Sequence, residues 1–129
     1  MADIPDEAES LLTESRETAF LATCSEGKPH VAPVWYRYED GVVELVTTGR
    51  KLANLRANPR VSLAVQAAGE GIPEWTVTVL GTATVVDDED ATREANRRIN
   101  RKYGVEDEAW AGENTLVRVA VGSASVRTY

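Results

Sequence analysis

The residues with the clearest chemical meaning in this sequence are cations and hydroxyls gathered in one stretch. From Leu45 to Gly69 there is no acid, while Arg50, Lys51, Arg56 and Arg60 supply four positive charges in a chain of net charge -7. Thr47, Thr48 and Gly49 stand directly before Arg50 and Lys51. Hydroxyls, the free N–H groups of a helix start and adjacent cations together suit a phosphate. Each charge-assisted hydrogen bond of that kind contributes about 1.5–3 kcal/mol. The same four cations could instead pair across the surface with the acids between Asp87 and Glu94, and composition alone weighs the two alternatives evenly. The stretch is not a Walker loop, because GxxxxGK[ST] is absent.

The remaining reactive residues are few. One Cys (Cys24) and one His (His30) cannot build an ordinary zinc site, an intrachain disulfide or a choice of catalytic bases. His30, beside Pro29, reads as a rim histidine, and Cys24, in an apolar run, as a small buried hydrophobe. The acids Asp87 to Asp90 fit the start of a helix, where the dipole favours them, better than a metal site. No catalytic side chain and no metal ligand is therefore expected. A pI near 4.7 argues against nucleic acid or an anionic membrane as partner and for a small molecule. The start MADIPDEAE has no apolar run of a secretory signal, and no segment approaches a membrane span, so the expected location is the cytoplasm.

These residues need a scaffold, and 129 residues supply one domain, spanning 1–129. Pro5, early acids and the spacing of Ala8, Leu11 and Leu12 predict a helix over 5–16. Apolar runs at 18–24, 30–39 and 42–48 predict three successive antiparallel strands, with Asp40-Gly41 as a two-residue hairpin turn. Pro33 confines its strand to an edge or a bulge. A short helix over 50–58 ends before Pro59. Strands at 60–67 and 74–86 flank AAGEGIP, read as a flexible connection, and Gly81 marks a bend or bulge. A charged helix over 88–103 closes at Gly104, Tyr103 and Trp110 pack it and the next loop onto the sheet, and one or two strands fill 115–128. Six or seven short strands with three helices predict a mainly β, closed or partly closed barrel.

Three segments in this order resemble the FMN-binding split-barrel superfamily of pyridoxamine 5'-phosphate oxidase-like proteins and their deazaflavin-dependent relatives. They are GKPHVAPVWY (Gly27–Tyr36), VTTGRKLANLRANPRVSLAV (Val46–Val65) and EWTVTVLGTATVV (Glu74–Val86). The resemblance implies an antiparallel six-stranded split β-barrel with short flanking helices, a homodimer, and a cofactor in the groove between subunits. It implies phosphate and ribityl contacts from Thr47, Thr48, Arg50 and Lys51, the basic stretch already singled out. It further implies that Pro33, Val34, Trp35 and Tyr36 run along the isoalloxazine ring, with backbone groups at its polar edge and Trp35 or Tyr36 as an apolar wall. Thr76 would face the flavin, and Asn54 would lie nearby. Oxidases of pyridoxamine phosphate proper carry a longer loop before the Arg-Lys pair and a longer C-terminal arm. Reduced-flavin or deazaflavin reductases are therefore closer analogies. The function implied is FMN-dependent hydride transfer to or from a small molecule, with a deazaflavin-dependent reductase or a non-enzymatic flavin-storage protein as alternatives.

Overall fold

The computed structural model describes residues 2–129. Ten elements follow one another: α1 (Asp6–Glu14), β1 (Ala19–Ser25), β2 (Lys28–Val34), β3 (Arg37–Glu39), β4 (Val42–Thr47), α2 (Gly49–Ala57), β5 (Arg60–Gly69), β6 (Ile72–Val86), α3 (Glu89–Tyr103) and β7 (Thr115–Thr128). All strand pairs between named strands are antiparallel, in the order β2-β1-β5-β6-β7-β4-β3. The two outermost strands are neighbours in sequence, joined only by Trp35 and Tyr36. Two residues bridge at most roughly 11 Å between the strand ends, so the sheet has to curl until its edges nearly meet. The expected strand 30–39 is thus one strand broken in the middle, which reconciles six strands with seven and leaves a split between β2 and β4. Pro33 lies in β2, which pairs only with β1, as a residue without a donor requires.

Three hairpin turns share one geometry. Glu26-Gly27, Asp40-Gly41 and Glu70-Gly71 each have two successive positive φ angles, 52° and 73°, 46° and 79°, and 52° and 81°. This twist matches that of the strands it joins. AAGEGIP is therefore no flexible connection: β5 and β6 run through it to a tight Glu70-Gly71 turn. The register slips between Leu80 and Gly81 against β7, and a Cβ at Gly81 would meet the Ala120 carbonyl oxygen at 2.6 Å. The expected bulge is there, and β7 continues past it as one strand rather than two. Gly104 closes α3 in the left-handed conformation, φ 75°.

Alternation along the strands separates the two faces of the sheet. Val34, Ala19, Val65 and Val77 form one inward row across β2, β1, β5 and β6, with Leu21, Leu63 and Val79 on the next inward rows of the last three. α1 buries Ala8 and Leu12, and the Tyr38 hydroxyl donates to Glu9 Oε1 at 2.8 Å while accepting from the Gly41 N–H at 3.0 Å. The outer face is divided. Over β4 and β7 it is covered by α3, which buries Ala95 and Ile99 and the outward-facing Leu116. Over β2, β1 and β6 it exposes Phe20, Val31 and Leu80 at 49%, 65% and 56%.

Candidate functional site

β4 ends at Thr47 and α2 begins two residues later, with Gly49 at φ 66° making the turn. Thr48 is the N-cap of α2 but forms no side-chain capping bond, and the first turn holds no acid. The helix start thus keeps its free N–H groups and a positive end uncompensated. The Thr47 side chain is buried and its Oγ1 has no hydrogen-bond partner. Arg50 is exposed and Lys51 half-buried; among the described residues neither has a carboxylate within ion-pair distance, and the same holds for Arg60. Arg56 differs. It grips both oxygens of Asp87, at 2.7 and 3.1 Å, which raises the guanidinium's pKa and lowers the carboxyl's. Surface pairing with the 87–94 acids therefore accounts for one of the four cations and leaves three free. Asn54 faces inward and donates Nδ2 to Thr23 Oγ1 at 3.0 Å, fastening α2 to β1.

The second part of the site lies at the break between β2 and β3. Pro33 is exposed on the outer face, while Val34 and Tyr36 turn into the core. Of the two aromatic residues that could wall a ring, only Trp35 is available to one. Its ring stacks on Tyr103 of α3, centroids 4.4 Å apart and planes at 5°, and meets Trp110 edge-on at 6.4 Å and 82°. The Tyr103 hydroxyl donates to the Glu17 carbonyl at 2.9 Å and accepts from the Tyr36 N–H at 3.4 Å. Burial pushes its pKa up to about 12. Lys102 Nζ donates to the Leu12 carbonyl and lies 3.6 Å from the centre of the Tyr36 ring; burial, then Arg37, bring its pKa down to about 8. The Tyr36 hydroxyl lacks a well-aligned partner, and burial first, then Tyr103, hold its pKa well above the usual tyrosine range.

The β3–β4 register runs Arg37↔Glu44, Tyr38↔Val43 and Glu39↔Val42. The pairing stops at Arg37, so on that edge the last residues of β4, Val46 and Thr47, are left unpaired on the side of the break at Trp35–Tyr36. The split is thus flanked by the basic corner on one side and Pro33–Trp35 on the other. Thr76 is not brought into this group. It lies on the outer face of β6, accepts from Gln66 Nε2 at 2.8 Å and shares a hydrogen bond with the Tyr129 hydroxyl at 3.3 Å. From β6 the split lies two strand spacings away through β7 to β4 and three through β5 and β1 to β2, roughly 10–14 Å along the sheet, beyond the reach of a threonine.

A cavity of about 720 Å³ lies elsewhere, between the N-terminal half of α3 and residues 108–115. Asp87, Asp88, Glu89, Glu108 and Glu113 line it, so it repels a phosphate. Asp88 caps α3 by accepting from the Ala91 N–H at 3.0 Å. Sequence reasoning placed Tyr103 correctly against the sheet but gave no sign that it backs Trp35, a pairing of residues 68 positions apart. It read Cys24 as buried, whereas Cys24 is half-exposed.

The family model for pyridoxamine 5'-phosphate oxidase matches residues 4–127. The chain belongs to this family. Its split-barrel fold recurs in a FAD-binding protein from Mesorhizobium loti, at 24% identity and TM-score 0.77, covering 97% of this chain and 95% of that one. It recurs in an F420 reductase, at 26% identity and TM-score 0.77, covering 94% and 98% of the two chains. A conserved hypothetical protein from Mycobacterium tuberculosis overlays at TM-score 0.80 with 22% identity, covering 96% and 84%. No curated protein matches the sequence. Among the described residues, no helix is long and apolar enough to cross a membrane.

Proposed function

We propose that this family member is an oxidoreductase that holds FMN in the split between β2 and β4 and moves hydride between the flavin and a small molecule. The β4–α2 corner carries the reading: a buried Thr47 hydroxyl without a partner, an uncapped helix start, and Arg50 and Lys51 without counter-ions. Hydroxyls, free helix N–H groups and unpaired cations are the groups that bind a phosphate. Thr47, Thr48, Arg50 and Lys51 would hold the phosphate and ribityl chain, while the backbone of residues 33–36 and the Trp35 ring would orient the isoalloxazine. Tyr103 fixes Trp35 from behind. When bound, the flavin supplies the hydride chemistry, and the chain supplies binding, orientation and exclusion of water. The cytoplasm suits such an enzyme.

FMN is favoured over a deazaflavin coenzyme by what lies beyond the phosphate. Arg56 is neutralised by Asp87, so a polyanionic tail would find only Arg60 nearby on an acidic protein. A second reading, an F420-dependent reductase, is favoured by the 26% identity to such an enzyme over nearly the whole of both chains.

The working unit in this reading is a homodimer. One half of the outer face has its own cover in α3, whereas the half with Phe20, Val31 and Leu80 has none. A second copy of this chain presents the same apolar half and would cover it. Light scattering should give a dimer for the wild type and a monomer for Leu80→Lys; a monomeric wild type with cofactor fully bound removes the dimer.

The function is tested by titrating apo-protein with FMN and with F420 at low and high salt. Lys51→Glu should weaken binding about tenfold or more, since one charge-assisted contact is lost and a repulsion gained. Arg16→Glu, exposed and outside the site, is the control. Equal effects of the two substitutions, or no binding of either cofactor, refute the reading. Tight F420 binding with negligible FMN affinity selects the second one. Turnover of substrate by the loaded protein separates an enzyme from a flavin-storage protein.

A further inference from the structure

Beside the Trp35–Tyr103 stack stands a third aromatic residue to which the FMN reading gives no role. Trp110 leaves 70% of its surface exposed and sits at φ 59°, a left-handed conformation that bulky residues rarely adopt. The backbone around it is held from several directions. Asn100, almost fully buried, donates Nδ2 to the carbonyls of Asp107 and Ala109 at 3.0 and 2.8 Å. Asn96 donates to the same Ala109 carbonyl at 3.1 Å, and Asn114 to the Trp110 carbonyl at 3.0 Å. Arg97 and Arg101 clamp Glu108 and Asp107, each at 2.7 Å. Asn100 Oδ1 is left buried without a partner in the process. A loop selected for stability alone would place glycine or asparagine at this φ and would not fix a large indole in water.

We infer that Trp35 and Trp110, at 82° to one another, form a docking corner for a planar conjugated substrate that is neutral or cationic. Tyr103 covers one face of Trp35 and the flavin reading uses the other, so Trp110 supplies the stacking wall and the Trp35 edge the wall at a right angle to it. Charge decides the sign. Residues 104–114 contain Glu106, Asp107, Glu108 and Glu113 and no cation. Arg97 and Arg101 offset two of these carboxylates, and Lys102 is turned inward onto the Leu12 carbonyl and the Tyr36 ring. Glu106 and Glu113 have no ion-pair partner among the described residues and Arg16, whose guanidinium lies beside Gly104, offsets one of them, so the loop that carries Trp110 keeps a net negative charge, which attracts a delocalised cation and repels a carboxylate. The inference deepens the oxidoreductase reading by naming the substrate class, and it rests on that reading for the place of Trp35 beside the bound ring.

The test uses apo-protein and three pyridine rings of similar size and different charge: the 1-methylnicotinamide cation, nicotinamide and nicotinate. Binding is followed by the indole N–H signals in nitrogen-15 correlated spectra and by saturation transfer to the probe. The Trp110 indole signal should shift on titration with the cationic probe, less with the neutral one, and not with nicotinate. Trp110→Ala should weaken the cationic probe about fivefold or more, with the melting temperature little changed, and Trp110→Phe should restore most of the affinity. Nicotinate binding as well as the cation, no shift of the Trp110 signal, or full affinity in Trp110→Ala overturns the inference. Cofactor titration of the same samples keeps the two ideas apart: loss of probe binding with cofactor binding intact rejects the corner alone, and the converse rejects the cofactor site alone.

Discussion

Glu44 should be the most stability-critical acid in this protein. It lies on the outer side of β4 beneath α3, its side chain only 9% exposed. Arg118 Nε and Arg37 Nη2 approach it at 3.1 Å, and Arg98 Nη1 at 3.8 Å. Glu44→Gln preserves shape and removes the charge, leaving three guanidinium groups around a neutral amide. Breaking one side of a buried ion pair costs about 3–5 kcal/mol, and since the arginines are partly in water the lower end applies, about 3 kcal/mol. For a domain of this size that is a fall in melting temperature of roughly 10–15 °C. Urea unfolding and calorimetry measure both quantities. Glu39→Gln is the matched control: it removes a carboxylate 2.7 Å from the same Arg37, but one that is 62% exposed, so its effect should be small. The loss should also reach the Trp35 stack, because α3 carries Tyr103. A Glu44→Gln protein within about 1 kcal/mol of wild type, or no worse than Glu39→Gln, would falsify the claim that Glu44 ties β4 to the arginines of β3, β7 and α3.

Gly81→Ala should destabilise by about 1–3 kcal/mol, because the new methyl would meet the Ala120 carbonyl oxygen at 2.6 Å and Val119 Cγ1 at 2.7 Å; an unchanged urea midpoint contradicts this. Stability should rise with pH from about 8 towards 10. Folding lowers the pKa of Lys102 from 10.5 to about 8, so in that window the unfolded chain holds a proton that the folded one has released. Above pH 10 the sign reverses, since Tyr38 and Tyr103, both pushed up to about 12, keep protons that the unfolded chain loses. Melting temperatures at pH 7 and 9.5 should therefore differ in the wild type and converge in Lys102→Met; a flat wild-type profile rejects the burial argument.

Local chemistry made much of this protein legible from its sequence. Hairpin turns and helix ends depend on the φ angles and capping groups of a few adjacent residues, so Asp40-Gly41, Gly104 and the α3 N-terminus could be read directly. Glu70-Gly71 obeys the same rule as Asp40-Gly41 but was hidden by the glycines around it. The basic stretch was visible as charge, and the hydroxyls before Arg50 as their companions, because one turn of chain contains them all. Which cations remain free was a tertiary matter. Arg56 and Asp87 are 31 positions apart, and only the packing of α2 beside the end of β6 joins them. The break at Trp35–Tyr36 was equally invisible. Apart from Pro33, residues 30–39 give no local sign of a break, which arises because one strand must serve both edges of a sheet curled into a barrel. The same closure sends Val34 and Tyr36 into the core, sets Trp35 against Tyr103, and leaves Thr76 at least two strands from the split. Sequence determines the groups that neighbours along the chain present, whereas side-chain exposure and long-range pairing depend on how the sheet closes.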